Sequence, residues 1–97
     1  MAESYINIEK LDFVTNKLNA LANPDRIAII ELLQRKGKAS VAEIIAHMNL
    51  SQASTSKYLR ILKANHIVIA KRAGHNVIYS INHIVVAEII TSISKCS

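Results

Sequence analysis

Acidic side chains are missing from almost half of this 97-residue chain: between Ile44 and Ala87 there is no Asp or Glu. The same span holds Lys57, Arg60, Lys63, Lys71, Arg72 and all four histidines. The rest of the chain carries seven cations and seven anions, so the whole net charge of +5 sits in the acid-free span. Charge segregated in this way is the footprint of a face for a polyanion. A merely solvated basic surface would not require that acids be absent altogether. Cysteine is scarce too. The single Cys96 excludes an intrachain disulfide framework and a cysteine-rich zinc module, and it suits a reducing cytoplasm. With two glycines there is no Gly-rich phosphate loop; a nucleophile motif and paired carboxylates are also wanting, which argues against an enzyme. No apolar run approaches the roughly 18–20 residues of a membrane span, so no membrane partner is expected. The opening residues, with Glu3 and a polar run to Asn7, do not read as a secretory signal.

Aromatic residues make up only 4% of the chain although 51% of it is apolar. Such an aliphatic composition suggests surface buried against a partner as well as an internal core. There are no internal repeats, low-complexity segments or linkers, so residues 1–97 are expected to form one domain. A domain of this size is small enough for dimerisation to add a large share of its stability.

The chain is organised around Ser40 to Asn65, SVAEIIAHMNLSQASTSKYLRILKAN, which reads as two short helices joined by a tight turn. Ser40 with Glu43 three residues on is a capping box, and Ile44, Ile45 and Met48 give the first helix its apolar face. Asn49 suits a helix end that needs a left-handed residue. Ser51 caps the second helix, which turns Leu59, Leu62 and Ile61 to one side. Its small polar residues and cations are what a DNA major groove asks for: hydroxyls and amides to read base edges, Lys and Arg to hold phosphates or guanine. The stretch 51–64 is read as the recognition helix of a helix-turn-helix.

Upstream, Leu11, Val14, Leu18 and Leu21 predict an amphipathic helix from about Ser4 to Leu21, with Lys10, Asp12, Asn16 and Lys17 on its other sides. Ile6, Ile8 and Phe13 lie off that stripe. Asn23, Pro24 and Asp25 start the next helix as cap, first residue and dipole partner. Its apolar residues fall on most sides, so it is expected to be central and largely buried. Lys36-Gly37-Lys38 closes it. Downstream of His66 the period changes to alternation. Residues 67–72 and 77–81 predict two strands joined by Ala73-Gly74-His75-Asn76. A basic hairpin directly after a recognition helix is a wing, with Lys71, Arg72 and His75 placed to touch DNA. A plain structural hairpin is the alternative. Asn82 caps a last helix over 83–95, whose Ile84, Val85, Val86, Ala87, Ile89, Ile90 and Ile93 cover more than one face and point to a partner helix.

This order of elements resembles the ArsR family of small bacterial winged-helix repressors. The resemblance is carried by LNALANPDRIAIIELL from Leu18, by SVAEIIAHMNLSQASTSKYLRIL from Ser40, and by the wing ending in VIYSI. The family usually has His where this chain has Tyr58. The resemblance implies a homodimer joined through its first and last helices, which binds an operator and leaves it when a signal arrives. It also bears on metal sensing. One family site uses a Cys-x-Cys pair where this chain has Ser40 and Ala42. Another uses carboxylate and imidazole ligands at positions that look like His83, Val85 and Cys96. Neither is complete, and His47, His66, His75 and His83 show no ligand spacing, so no metal or cofactor is expected.

The expectation is therefore a mostly α domain with a small β-hairpin, a winged helix-turn-helix of about five helices and a two-stranded wing. It would act in the cytoplasm as a transcriptional regulator on double-stranded DNA, with an inducer ligand that the sequence does not identify. Expected DNA contacts are Ser51, Gln52, Ser54, Thr55, Lys57, Tyr58, Arg60, Lys71, Arg72 and His75. Expected dimer contacts are Leu11, Val14, Leu18, Val86, Ile89, Ile90 and Ile93. The alternative is a winged-helix protein-interaction module without specific DNA binding.

Overall fold

The computed structural model describes residues 8–96, with side chains to Ser94. The expected helix start at Ser4, and Ile6 and the Cys96 thiol, lie outside the described residues. Five helices and three strands follow in the order α1 (Ile8–Leu21), α2 (Pro24–Lys36), β1 (Ala39–Ser40), α3 (Val41–Met48), α4 (Gln52–Ala64), β2 (Val68–Ala73), β3 (Asn76–Ile81) and α5 (His83–Cys96). No described helix is long and apolar enough to cross a membrane.

Most boundaries follow from local chemistry. Asn23 Oδ1 accepts from the Asp25 amide at 2.8 Å and the Arg26 amide at 3.3 Å, with Pro24 at the first helical position where its missing N–H costs nothing. At the other end of α2, Gly37 takes φ +85° and its amide returns to the Leu33 carbonyl at 2.8 Å. The Ser40–Glu43 capping box is complete: the Glu43 amide donates to Ser40 Oγ at 3.1 Å and the Ser40 amide to Glu43 Oε1 at 2.8 Å. That backbone bond, with Lys36 Nζ 3.2 Å from Glu43 Oε2, holds the Glu43 carboxyl below its ordinary pKa. Asn82 Oδ1 accepts from the Val85 amide at 3.3 Å and opens α5.

The core gathers Ala20, Ile29, Leu32, Leu33, Ala39, Ile44, Leu59, Leu62, Ile67, Val68 and Ile81 from every layer except the last helix, with Tyr79 and Val86 packed against it. Helix α2 is central, as expected, although Ile27 faces outward at 54% exposure. Helix α1 is turned differently from the expected stripe. Val14, Lys17 and Ala20 are buried, whereas Leu11 and Leu18 are 37% and 46% exposed. Lys17 accounts for the rotation. Its apolar stem lies inside, its ammonium donates to the Asn65 carbonyl at 2.5 Å, and it sits 5.3 Å from the centre of the Phe13 ring.

The sheet has a third strand that the sequence pattern did not reveal. Its order is β1-β3-β2, all antiparallel, with Ala39 opposite Tyr79 and Ser40 opposite Ile78. Two residues carry no periodicity, and β1 exists only because β3 is there to pair with it. The hairpin closes in two residues, since Ala73 pairs with Asn76, and Gly74 supplies a φ of +65°. One face of the sheet carries the pairs Val68–Ile81 and Ala70–Tyr79 onto the helices. The other turns Ile69, Lys71, Ile78 and Ser80 to solvent.

Two positions carry a conformational or solvation cost that substitution should relieve. His66 holds φ +60° after α4, where its amide bonds to the Lys63 carbonyl and the Ile67 amide to the Leu62 carbonyl. These are the two bonds of a Schellman motif, and the left-handed position disfavours a β-carbon. That penalty is roughly 1–2 kcal/mol against roughly 0.5–1 kcal/mol of extra chain entropy for glycine, so His66→Gly should stabilise by about 0.5–1 kcal/mol. Thr55 is fully buried and its hydroxyl has no hydrogen-bond partner among the described residues. Thr55→Val removes that hydroxyl at constant volume and should stabilise by about 1 kcal/mol. Denaturant titration checks both; a lower midpoint for either variant contradicts the account.

Candidate nucleic-acid interface

The turn between α3 and α4 is set by Asn49, which adopts the left-handed conformation (φ 55°, ψ 39°) and returns its amide to the Ile45 carbonyl at 3.1 Å. Asparagine tolerates this region better than other residues with a β-carbon. Two residues on, Ser51 Oγ accepts the Ser54 amide at 3.0 Å and starts α4. The positive end of that helix is left without any acidic side chain in its first turn.

Burial then decides which way α4 faces. Thr55, Leu59 and Leu62 point into the core, with Tyr58 and Ile61 half-buried beside them. The opposite side leaves Gln52, Ala53, Lys57, Arg60, Lys63 and Ala64 exposed, with Ser56 partly so. Six of the ten expected DNA contacts keep exposed side chains: Gln52, Lys57 and Arg60 on α4, Lys71, Arg72 and His75 on the wing. Ser51 is exposed as well, with its hydroxyl engaged in the cap, and Ser54 lies at the flank. Thr55 must be corrected: it is a core residue, because its position one turn before Leu59 puts it on the buried stripe. Tyr58 is likewise turned partly inward, with the Arg26 guanidinium 5.7 Å from its ring centre. Ser56 and Lys63 share this exposed side and were not among the expected contacts. The signal was available, since Ser56 follows Gln52 at four residues, Arg60 follows Ser56 at four, and Lys63 closes the row.

The end of α4 is held by its neighbours. Asn65 Nδ2 returns to the Ile61 carbonyl at 2.9 Å, and Lys17 places a positive charge on the Asn65 carbonyl, at the negative pole of the helix. Arg26 ties the start of α2 to α1 by donating through Nε to the Ala20 carbonyl at 2.5 Å, while its guanidinium lies over Tyr58 in the middle of α4.

The expected partner face divides. Helices α1 and α5 pack on each other, and this seam already buries Val14 at 8% and Ile89 at 7% exposure. Val86 packs against the core. Val14 and Ile89 are therefore internal contacts, a correction that follows from α1 covering one side of α5 within the chain, whereas Val86 keeps part of its surface open. Leu11, Leu18, Ile90 and Ile93 remain open, and Ile8 at 68% and Ile84 at 75% join them. Isolated exposed aliphatics are ordinary, but six large ones on two adjacent helices are more than that, although Ile84 and Ile93 lie on opposite sides of α5.

The donors for a metal do not assemble at the positions that the family resemblance pointed to. Ser40 Oγ is committed to its cap, Ala42 has no donor atom, and Val85 is a buried aliphatic. Among the described residues no three His, Cys, Asp or Glu side chains come together as a ligand set.

Comparison with known proteins agrees with this geometry. Residues 23–70 match the family model described as "Bacterial regulatory protein, arsR family". The HTH-type transcriptional repressor SmtB of Mycobacterium tuberculosis is 39% identical over 71 residues, covering 73% of this chain and 52% of the relative. The HTH-type transcriptional regulator MJ1325 of Methanocaldococcus jannaschii is 33% identical over 67 residues, 69% of this chain and 75% of that protein. The homodimeric winged helix-turn-helix DNA-binding domain Mb0332 of Mycobacterium bovis superposes with a TM-score of 0.74 at 29% identity, over 94% of this chain and 85% of that one. The chain spans only 52% to 63% of the length of the SmtB and NmtR relatives. The family model runs from the start of α2 through the helix-turn-helix into the first strand of the wing, the solved domain matches 94% of the chain, and the chain belongs to the ArsR family of bacterial regulatory proteins.

Proposed function

We propose that this chain is a DNA-binding transcriptional repressor that acts as a homodimer in the cytoplasm on a two-fold operator. One observation carries the reading: the exposed side of α4 presents Gln52, Ser56, Lys57, Arg60 and Lys63 beside a wing bearing Lys71 and Arg72, in a span without a single carboxylate. Gln52 and Ser56, in the first turns of α4, are suited to base edges, and the cations to phosphates. The open aliphatics of α1 and α5 are the dimer surface in this reading. Two copies joined there would present two α4 helices to successive major grooves, about one helical turn or roughly 34–36 Å apart. The names of the relatives, a repressor and a homodimeric DNA-binding domain, support the same reading.

Duplexes selected from random sequence should bind far more tightly than bulk DNA, with affinity falling steeply as salt rises. Gln52→Ala should lose roughly 1–3 kcal/mol of discrimination at its base pair. Arg72→Ala should weaken every sequence alike and flatten the salt slope by about one. Equal affinity for selected and random DNA at physiological salt would instead leave a protein-interaction module.

Assembly has its own expected outcome. Ile90→Glu buries a carboxylate without a partner in the subunit contact, at several kcal/mol, and should give monomers that no longer hold the operator. Sedimentation of the unaltered chain as a monomer at micromolar concentration would contradict the dimer.

Zinc and arsenite should not release the DNA. A ligand shifts the equilibrium only through unequal affinity for the two states, and zinc needs about four donors, three at least from the protein. Stoichiometric titration of each into the protein–DNA complex is the check. Release at low micromolar metal, lost in His83→Ala, would overturn it.

A further inference from the structure

The solvent face of the three-stranded sheet holds a feature that the DNA reading does not absorb. Lys38, Ile69, Lys71, Arg72, Ile78 and Ser80 line an open depression of about 390 Å³. The register explains how they meet. Ser40 stands opposite Ile78 and Lys71 opposite Ile78 on the other side, while Ile69 stands opposite Ser80. Lys38, two residues before Ser40 in the chain, falls on the same face as Ser40 at the β1 edge. Two lysines thus flank the central strand from its two neighbours, with Arg72 at the rim. No carboxylate lines the depression, and no ion pair engages these cations among the described residues. Its floor is apolar, with Ile69 exposed at 40%.

We propose that this depression binds a small organic anion, a carboxylate or phosphate monoester carried on an apolar body of about one ring. The charge selects the anion: two lysines on one face without a counter-ion gain from an oxyanion shared between them, and Arg72, which strand alternation turns toward the other face, adds its charge only from the rim. The isoleucines select the body, since a bare phosphate would leave them wet. The volume lies at the small end of the range for ligand sites, roughly 300–1,000 Å³. Lys71 and Arg72 are also wing cations, so, resting on the repressor reading, an anion seated here withdraws them from the DNA and weakens its binding. By linkage DNA weakens the anion equally.

The test is amide-shift titration of the free full chain with phenyl phosphate, benzoate, inorganic phosphate and benzyl alcohol. Saturable shifts at residues 38–40, 69–72 and 78–80 are expected with the first two ligands, and affinities about tenfold weaker for the last two. Lys38→Ala, at an exposed position, should weaken phenyl phosphate about tenfold. Ile69→Ser should weaken phenyl phosphate and leave inorganic phosphate unchanged. Equal response to both phosphates, shifts confined to α1 and α5, or indifference to both substitutions would overturn the proposal. So would a Lys38→Ala variant that loses DNA affinity while phenyl phosphate binds as before, because Lys38 would then serve the DNA backbone. The anion titration needs no DNA, so its outcome stands apart from the repressor reading. Displacement of bound duplex by phenyl phosphate then tests the coupling.

Discussion

Helix α4 has one buried side and no freedom to choose another. Leu59 and Leu62 are fully enclosed by residues from α2, α3 and the sheet, and burying each contributes roughly 1.5–3 kcal/mol. Turning the helix by even a third of a revolution would drive Arg60 or Lys63 into that enclosure, where an unpaired charge costs far more than the leucines contribute. The orientation of the exposed side is therefore a consequence of the core. Gln52, Ser56 and Arg60 face outward because Thr55, Leu59 and Leu62 cannot.

The axial position of α4 is fixed by its ends. Asn49 and Ser51 set where it begins, and the Schellman bonds through His66 and Ile67 set where it stops. Lys17 connects the second of those limits to the first helix, and Arg26 connects the middle of α4 to it. Lys17 reaches from α1 to the last carbonyl of α4, and Arg26 bonds to the end of α1 while lying over Tyr58 of α4. A shift of α1, the helix that carries Leu11 and Leu18 on its open side, must disturb these contacts. The open aliphatic side of α1 and the exposed side of α4 are thus joined through two side chains.

Features decided within a few residues were legible in the sequence. The caps at Asn23, Ser40, Ser51 and Asn82 and the left-handed exits at Gly37 and Asn49 all stand where local chemistry put them. Features decided by a distant partner were not. Strand β1 has two residues and depends on β3 for its existence. Lys17 looked like a surface cation until the α4 terminus supplied an acceptor. Val14 and Ile89 looked like contacts for a second subunit, but α1 and α5 meet within one chain and cover them first. Thr55 is different. Its burial could have been read from its spacing to Leu59 and Leu62, but a hydroxyl in a first helical turn suggests DNA more readily than core.

The charge pattern follows from the weakness of surface electrostatics. An exposed ion pair is worth about 0–1 kcal/mol, and the pair between Lys36 and Glu43 lies just outside the acid-free span, at the edge of the capping box. Leaving Lys57, Arg60, Lys71 and Arg72 without acidic neighbours therefore costs the fold little. A carboxylate placed among them would return little stability, yet it would repel any phosphate brought to the same surface. Stability is indifferent to the absence of acids between Ile44 and Ala87, so the absence has to be accounted for by what approaches that side from solution. The core sets the direction in which the cations point. An anion approaching from outside the chain gives a reason for their having no acidic company.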